Sequence, residues 1–551
     1  MEPAGMQAQA PQDNSIHLPS VMLLVAVCAA LFLSNAHVLP LGEPDEARCG
    51  LIVREMLQDG HWLLPHLRGE PYYDKPAAFF WLAAGGQLLT GSAELGGRLV
   101  AAIAALAAVL AAYSMARRVF GGAMAGLLAG LVLATMGEFL FMARWYRMDM
   151  PFAAAIWASL WWFLRRQHQP QPRGGRMLTW TVFYAICGVG TLLKGPAALV
   201  LPGLVVGLYL VLSRQYGRLL EMLHPVGLAA YVLVASPPYV LAELEQPGYL
   251  AVFFLKHNVQ RFAEPLDPSH GWPGVLYVPI AMGGMMPWTI YLPGAAARYF
   301  PRRWRARADK PAMLYLWLCA IVPMAFFAVS GTKLVSYILP VFAPLSVLVG
   351  GLLTDWIRSP APDRLMRAGG WAMTGVVAVL GCAAALGDAW FDNVDLWLVL
   401  PLVASAAGAA AMVWALRRNL RRVFIGATIG TLAAVSLFAV FHIAPAGYDY
   451  MGVRRLGALA RELGLREEQV CFLSSTRLSF LFYAHIRSAA NFEPDHPGEL
   501  DRLAARFNED APFYCVVTGA HRMEQLRRVC AARVKVLAAE GNTWLVSNQG
   551  P

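Results

Sequence analysis

Charge is what this sequence has least of. Only 15% of its 551 residues are Asp, Glu, Lys or Arg, and 58% are apolar, whereas a soluble domain carries roughly 25% charge. A soluble chain this long would form several domains, each with its own charged surface, and these charges cannot cover them. The same hydrophobicity excludes a disordered chain. The eight Cys include no CxxC pair, which removes the usual zinc and redox spacings. The segment after Pro445 holds no Gly-rich phosphate loop and no nucleophile elbow, and no internal repeat stands out across the apolar runs. Ionisable residues are almost absent from the middle of the apolar runs, where a transporter or ion pathway would carry them. The net charge of +10 does not point to nucleic acid, because Lys and Arg sit in short connections between apolar runs, as topology determinants do.

Thirteen apolar runs approach the length of about 20 residues that spans a bilayer. They lie at 20–39, 98–116, 122–142, 151–166, 178–193, 197–213, 225–242, 274–293, 311–330, 337–357, 369–387, 396–416 and 423–443. The run at 77–89 is too short to cross and reads as an interfacial helix. With the N-terminus inside, the inner connections hold roughly twice the Lys and Arg of the outer ones, in about half the length. A signal peptide ending near Ser34-Asn35-Ala36 competes, but it lacks a basic n-region. Cys28, Cys187, Cys319 and Cys382 fall inside apolar runs and are expected to be buried.

The fold class expected is a polytopic all-α membrane protein with about thirteen transmembrane helices and interfacial helices in its first external loop. Residues 1–19 form a cytoplasmic segment. Residues 20–445 form the membrane domain, with its first loop at 40–97. Residues 446–551 form a small α/β domain outside. In that last segment an amphipathic helix is expected over Tyr450–Leu463, with strands at Val470–Leu473, Phe513–Val517, Val534–Leu537 and Trp544–Ser547. The segment is nearly neutral, so the positive excess belongs to the apolar part.

Polar residues collect at the outer ends of the runs. In Gly42-Glu43-Pro44-Asp45-Glu46-Ala47-Arg48, Pro and two acids suit a helix start. The same placement suits a reactive carboxylate, Asp45, facing the bundle beside Arg48, and the two readings are compatible. Tyr72, Asp74 and Lys75 are either an aromatic interface belt with a snorkelling Lys or a cation at headgroup depth that holds a lipid phosphate. Asp149, Lys194, His257, Arg261, Lys333 and Tyr337 lie at the same depth on other loops. Each alone could be an anchor. Together they exceed what anchoring needs in loops otherwise poor in Lys and Arg.

These motifs carry a resemblance. The long first loop, Asp45-Glu46-Ala47-Arg48 and Tyr73-Asp74-Lys75-Pro76 are similar to those of GT-C glycosyltransferases that use polyprenyl-phosphate sugars. Within that group the chain resembles the lipid A 4-amino-4-deoxy-L-arabinose transferases. Supporting elements are Arg144–Met150, Leu193–Pro196, His257–Phe262 and Ser330–Pro340, and the likeness is dense over 1–345. Asp74 stands where Glu is expected in that family. The resemblance implies a GT-C fold in the bacterial inner membrane. It also implies inverting transfer of the sugar from undecaprenyl phosphate to lipid A phosphate, a modification that gives polymyxin resistance.

The expected catalytic residues are Asp45, Asp149 and Lys75. The expected substrate-binding residues are Arg48, Tyr72, Asp74, Lys194, Arg261, Lys333 and Tyr337. No cofactor is required, although a divalent ion such as zinc is an option for Asp74 with His257. The expected partners are the undecaprenyl-phosphate-linked sugar, lipid A and membrane lipids, with the protein a monomer. The alternatives are a protein O-mannosyltransferase-like enzyme with another sugar and acceptor, a transporter, and a lipid-binding scaffold.

Overall fold

The computed structural model describes residues 17–167, 173–265, 267–301, 311–390, 397, 399–451, 453–530 and 533–549. Most of the expected 1–19 segment, and parts of the basic connections at 165–177 and 294–310, lie outside the described residues.

Every apolar run is helical where it is described. In chain order the first elements are α1 (Leu18–Leu33), α2 (Asp45–Asp59), a hairpin of β1 (His66–Leu67) and β2 (Glu70–Pro71), then α3 (Ala78–Thr90), α4 (Ala93–Phe120), α5 (Ala123–Ala134) and α6 (Gly137–Ala143). They are followed by α7 (Asp149–Gln167), α8 (Arg173–Leu193), α9 (Ala197–Leu212), α10 (Tyr216–Glu221) and α11 (Pro225–Glu245). Further long helices cover Pro311–Val329, Leu339–Arg358, Arg364–Trp390, Val399–Arg417 and Arg421–Phe438. Among the described residues, eight helices are long and apolar enough to cross a membrane, or up to ten if each of two bent pairs is one span. The expectation of thirteen is higher by three, because α1 and α9 are only 16 residues long and α7, at 19 residues, carries Asp149, Arg165 and Arg166 at its ends.

Two runs read as single spans are broken. Residues 122–142 fold as α5 and α6, bent by 74°; Thr135, whose side chain bonds back to the Leu131 carbonyl at 2.7 Å, ends the first piece. Residues 274–293 turn by 104° where Pro287 offers no N–H to continue a helix. Cys382, expected to be buried, is exposed on Arg364–Trp390, on a face where Val379 and Leu386 are exposed too.

The first external loop is not a flat interfacial layer. Pro44 precedes α2, Asp45 and Glu46 occupy its first turn, and Gly60 at φ +79° ends it. Leu51, Ile52 and Val53 are successive residues with no exposure, so α2 is enclosed on all sides. Only α3 has an interfacial character, with Phe79 and Phe80 buried and Leu88 and Leu89 at 70% and 86% exposure. It lies against α4 so closely that a Cβ at Gly86 would sit 2.4 Å from the Gly96 carbonyl oxygen.

The C-terminal segment carries a five-stranded mixed sheet in the order β4-β3-β5-β7-β6. Its strands are β3 (Val470–Leu473), β4 (Ala490–Phe492), β5 (Tyr514–Thr518), β6 (Lys535–Glu540) and β7 (Thr543–Ser547). The edge strand β4 has no counterpart in the sequence reading, because three residues of Ala-Asn-Phe hold too little alternation to detect. The helix expected over Tyr450–Leu463 is two, Ala444–Met451 and Arg454–Glu462. The first of them runs through the boundary expected at 445, because it continues Arg421–Phe438 without a break by way of a π-helical turn, Ala439–Ile443.

This segment is not an independent appendage. Leu456, Phe480, Leu481 and Leu545 share one apolar cluster with Ala47, Ile52 and Phe79 of the first loop. The Arg54 guanidinium on α2 donates to the carbonyls of Leu481, Phe482 and Ile486 at 3.1, 3.0 and 2.9 Å. Ser479 Oγ donates to Glu43 Oε1 at 2.6 Å.

Candidate functional site

The start of α2 is fixed by a buried ion pair. Arg98, near the start of α4, reaches Glu46 Oε2 at 2.6 Å with Nη2 and Oε1 at 2.9 Å with Nε. Its remaining donors go to the carbonyls of Ala36, Leu39 and Pro40 at 2.8, 2.6 and 2.7 Å. Glu46 also accepts from the backbone of Gly42 and Tyr146, both at 2.9 Å. Burying two charges is tolerable only when they are paired and their other hydrogen bonds are made, and here both conditions are met. The pair joins α2, α4 and the segment before α7, and so sets where Asp45 stands. The sequence reading missed Arg98. Its signal was a lone Arg at the start of an apolar run.

Asp45 Oδ1 lies 3.2 Å from Arg48, and Oδ2 lies 3.0 Å from Arg147 Nη1. The same Arg147 places Nε 3.0 Å from Asp149 Oδ2. Asp149 opens α7, and its Oδ1 accepts from Lys194 Nζ at 2.7 Å. Burial opposes ionisation of Asp149, but Arg147 and Lys194 outweigh it and hold the carboxyl below the usual range. Lys194 sits on the α8–α9 connection with its ammonium 4.7 Å from the Tyr337 ring centre. Charges of alternating sign thus run Arg48, Asp45, Arg147, Asp149, Lys194.

A second cluster centres on Asp74. Lys75 Nζ and His257 Nδ1 are each 2.9 Å from Oδ1, and Arg261 Nη1 is 3.0 Å from it. The Tyr72 hydroxyl donates to Oδ2 at 3.2 Å. Burial raises the Asp74 carboxyl, but His257, Lys75 and Arg261 together hold it well below the usual carboxylate range. Burial, with Arg261 nearby, pushes the Lys75 ammonium down to about 8, despite Asp74. His257 lies on a π-helical stretch, Ala251–Gln260, that runs directly into Arg261; such wide turns recur at functional positions.

The two clusters face one cavity of about 390 Å³. On its wall Arg48, Lys75, Arg147, Lys194 and Arg261 outnumber Asp45, Asp74, Asp149 and Asp267, so the lining is net positive. A second cavity of about 340 Å³ shares Asp74, Lys75, Lys194, Arg261 and Tyr337 with the first, and is otherwise largely apolar, lined by Phe152, Val200, Phe262, Phe326 and Phe327. The arrangement fits an amphiphile with an anionic group at the junction, an apolar tail on one side and a polar group on the other.

Every expected site residue but one lines these cavities. Lys333 does not. It is buried at 8% exposure, and its ammonium donates to the Ser330 carbonyl at 2.6 Å. Pro311–Val329 ends four residues before it, and Lys333 also reaches the Gly331 carbonyl at 3.4 Å, so it satisfies carbonyls freed where the helix stops. Arg147, Asp267 and His270, which the sequence reading did not assign, line the polar cavity. The option of a divalent ion rests on Asp74 with His257, whose Nδ1 is 2.9 Å from Asp74 Oδ1. Among the described residues no group of three or more His, Cys, Asp or Glu is arranged to hold a metal ion, and Lys75 and Arg261 share the same Asp74 oxygen.

Comparison with known proteins bears on the fold and the family. A family profile described as dolichyl-phosphate-mannose-protein mannosyltransferase matches residues 74–241. The crystal structure of ArnT from Cupriavidus metallidurans bound to undecaprenyl phosphate aligns over 97% of this chain and 100% of that one, with TM-score 0.78 and 22% identity. An oligosaccharyltransferase from Archaeoglobus fulgidus aligns more loosely, at TM-score 0.52 and 13% identity over 98% of this chain and 74% of that one. The fold is therefore that of a multi-pass membrane glycosyltransferase of the GT-C type.

The undecaprenyl phosphate-alpha-4-amino-4-deoxy-L-arabinose arabinosyl transferase of Pseudomonas paraeruginosa is 32% identical over 380 residues, 67% of either chain. Transferase 1 of that name from Pseudomonas fluorescens is also 32% identical, over 59% of this chain and 56% of its own. The chain belongs to this family of arabinosyl transferases. Transferase 2 of that name from another Pseudomonas fluorescens strain, 31% identical, is matched over 60% of its own length, so the chain spans less than two thirds of both of these relatives.

Proposed function

We propose that the protein transfers 4-amino-4-deoxy-L-arabinose from undecaprenyl phosphate to a phosphate group of lipid A. The observation that carries this reading is the wall shared by the apolar and polar cavities, where Lys75, Lys194, Arg261 and Tyr337 meet. A polyprenyl tail fits the Phe-rich side and a sugar the charged side, with the linking phosphate on the cations between.

The chemistry follows from the charges. As the glycosidic bond breaks, positive charge develops on the sugar and negative charge on the leaving phosphate. Lys75 and Arg261 are placed to neutralise the phosphate, which lowers the barrier if the contact strengthens as the bond breaks. A lipid A phosphate is already anionic near neutral pH, so no strong base is needed. Asp45, with both oxygens on guanidinium groups, orients the acceptor rather than deprotonating it. Asp149 holds Lys194 and Arg147 in place. Attack from the face opposite the leaving phosphate inverts the anomeric centre. This chemistry requires no metal.

The C-terminal sheet and the first loop share one core, so they lie on the same membrane face. The charge asymmetry of the connections makes the N-terminus cytoplasmic and that face periplasmic, in a bacterial inner membrane, with the protein acting as a monomer. The mannosyltransferase profile favours one other reading, a different polyprenyl-phosphate sugar in the same cleft. Reconstitution in vesicles with lipid A and undecaprenyl-phosphate aminoarabinose tests the proposal. The expected result is lipid A heavier by one or two aminoarabinose units. Transfer from a mannosyl or other donor, with none from this one, overturns the sugar assignment.

A further inference from the structure

The helices that carry Asp149 and Lys194 to the cleft have other ends. α7 runs from Asp149 to Gln167, so at about 1.5 Å per residue its far end is roughly 28 Å away. There the ends of α7, α8 and α9 meet α10 around another cavity, of about 630 Å³. Arg166, Arg176, Arg214, Arg218, Gln167 and Glu221 line it.

Glu221 pairs with Arg176 at 3.0 Å and Arg166 donates to the Gly175 carbonyl at 3.3 Å, and four arginines against one carboxylate leave the wall with an excess of positive charge. Arg218 is aimed by the Gln167 carbonyl at 2.9 Å. Gln167 itself is only 6% exposed. Its Nε2 lies 3.0 Å from Gln215 Oε1 and 3.3 Å from the Tyr209 hydroxyl, donating to both. Its Oε1 then has no donor among the described residues. Just outside the cavity, Leu220 and Leu223 are 72% and 68% exposed.

Basic residues at this end of the bundle also set orientation in the membrane. Orientation requires charge alone. It does not require arginines converging on a concave wall, or a buried acceptor left unpaired beside them. A concave wall with excess positive charge calls for an anion, and the Gln167 oxygen calls for a hydroxyl or amine hydrogen. Apolar side chains at the rim place acyl chains there. We infer that this cavity binds the phosphodiester of an anionic membrane lipid whose headgroup carries a free hydroxyl. The arginines take the phosphate oxygens, Gln167 Oε1 accepts from the headgroup hydroxyl, and Leu220 and Leu223 lie along the chains.

The test uses the full chain, purified and stripped of lipid in detergent. Binding of phosphatidylglycerol, phosphatidylethanolamine and inorganic phosphate is measured by native mass spectrometry and by thermal shift. Phosphatidylglycerol is expected to bind well ahead of the other two, and Arg214→Ala with Arg218→Ala to weaken it by about thirtyfold, the weight of two cations facing a lipid phosphate. Gln167→Leu should reduce the preference for phosphatidylglycerol over phosphatidic acid, which has no headgroup alcohol. Equal binding of phosphatidylglycerol and phosphatidylethanolamine by the unaltered protein overturns the inference. So does inorganic phosphate competing as well as the lipid, or an unchanged affinity in the arginine variants. Arg214 is exposed, so Arg214→Ala alone serves if the double variant fails to fold.

Discussion

Arg147 lies 3.0 Å from Asp45, and the opposite edge of the same guanidinium is 3.0 Å from Asp149. Two carboxylates from the ends of different helices are thereby held at a fixed separation. Asp45→Asn should fold and bind the polyprenyl donor but lose transfer by about a hundredfold or more, the size of an electrostatic contact made at the reacting centre. Near-normal turnover in reconstituted vesicles would remove Asp45 from the mechanism. Arg147→Lys should rescue little, because a point charge does not span both carboxylates.

Lys75 tests the leaving-group argument. Lys75→Ala should lower kcat at saturating donor, whereas a purely binding role would raise KM alone. The pH profile gives an independent reading. Burial has brought the ammonium down to about 8, so raising the pH through that value in the free enzyme removes the charge. The quantity kcat/KM should therefore fall above pH about 8 and show no such limb in Lys75→Ala. In kcat the limb should lie higher, since a bound phosphate stabilises the ammonium.

The Glu46–Arg98 pair is expected to matter for folding. Arg98→Met leaves Glu46 buried without its partner, at a cost of about 3–5 kcal/mol. A large fall in Tm in detergent would show it. A Tm within a degree of the unaltered protein would mean that water reaches the pair.

The C-terminal segment should affect catalysis through α2. Arg54→Ala removes three hydrogen bonds to carbonyls at 481–486, and turnover should drop with donor affinity retained. If both fall together, α2 is needed for the donor cavity as well.

Topology can be read directly. Asp501 is exposed on the C-terminal segment, and Asp501→Cys in a Cys382→Ser background should react with an impermeant thiol reagent in cells whose outer membrane alone is permeabilised. Labelling only after the inner membrane is lysed would reverse the orientation proposed above.

The membrane-protein class and the helical runs are properties of composition and hydrophobic length, which act locally and can be read along the chain. So can the outer-end motifs: Asp45 at a helix start and Tyr72, Asp74 and Lys75 before α3 announce themselves by residue type in apolar surroundings. What the tertiary structure decided is which of these charges meet. Asp74 finds Arg261 and His257 from a distant loop, and Glu46 finds Arg98. Lys333, alike in sequence context to Lys194, turns to cap carbonyls while Lys194 turns to Asp149. No periodicity encodes that difference. It is set by which unpaired acceptor each ammonium meets once the helices have packed, because at reduced dielectric a buried charge must take a partner.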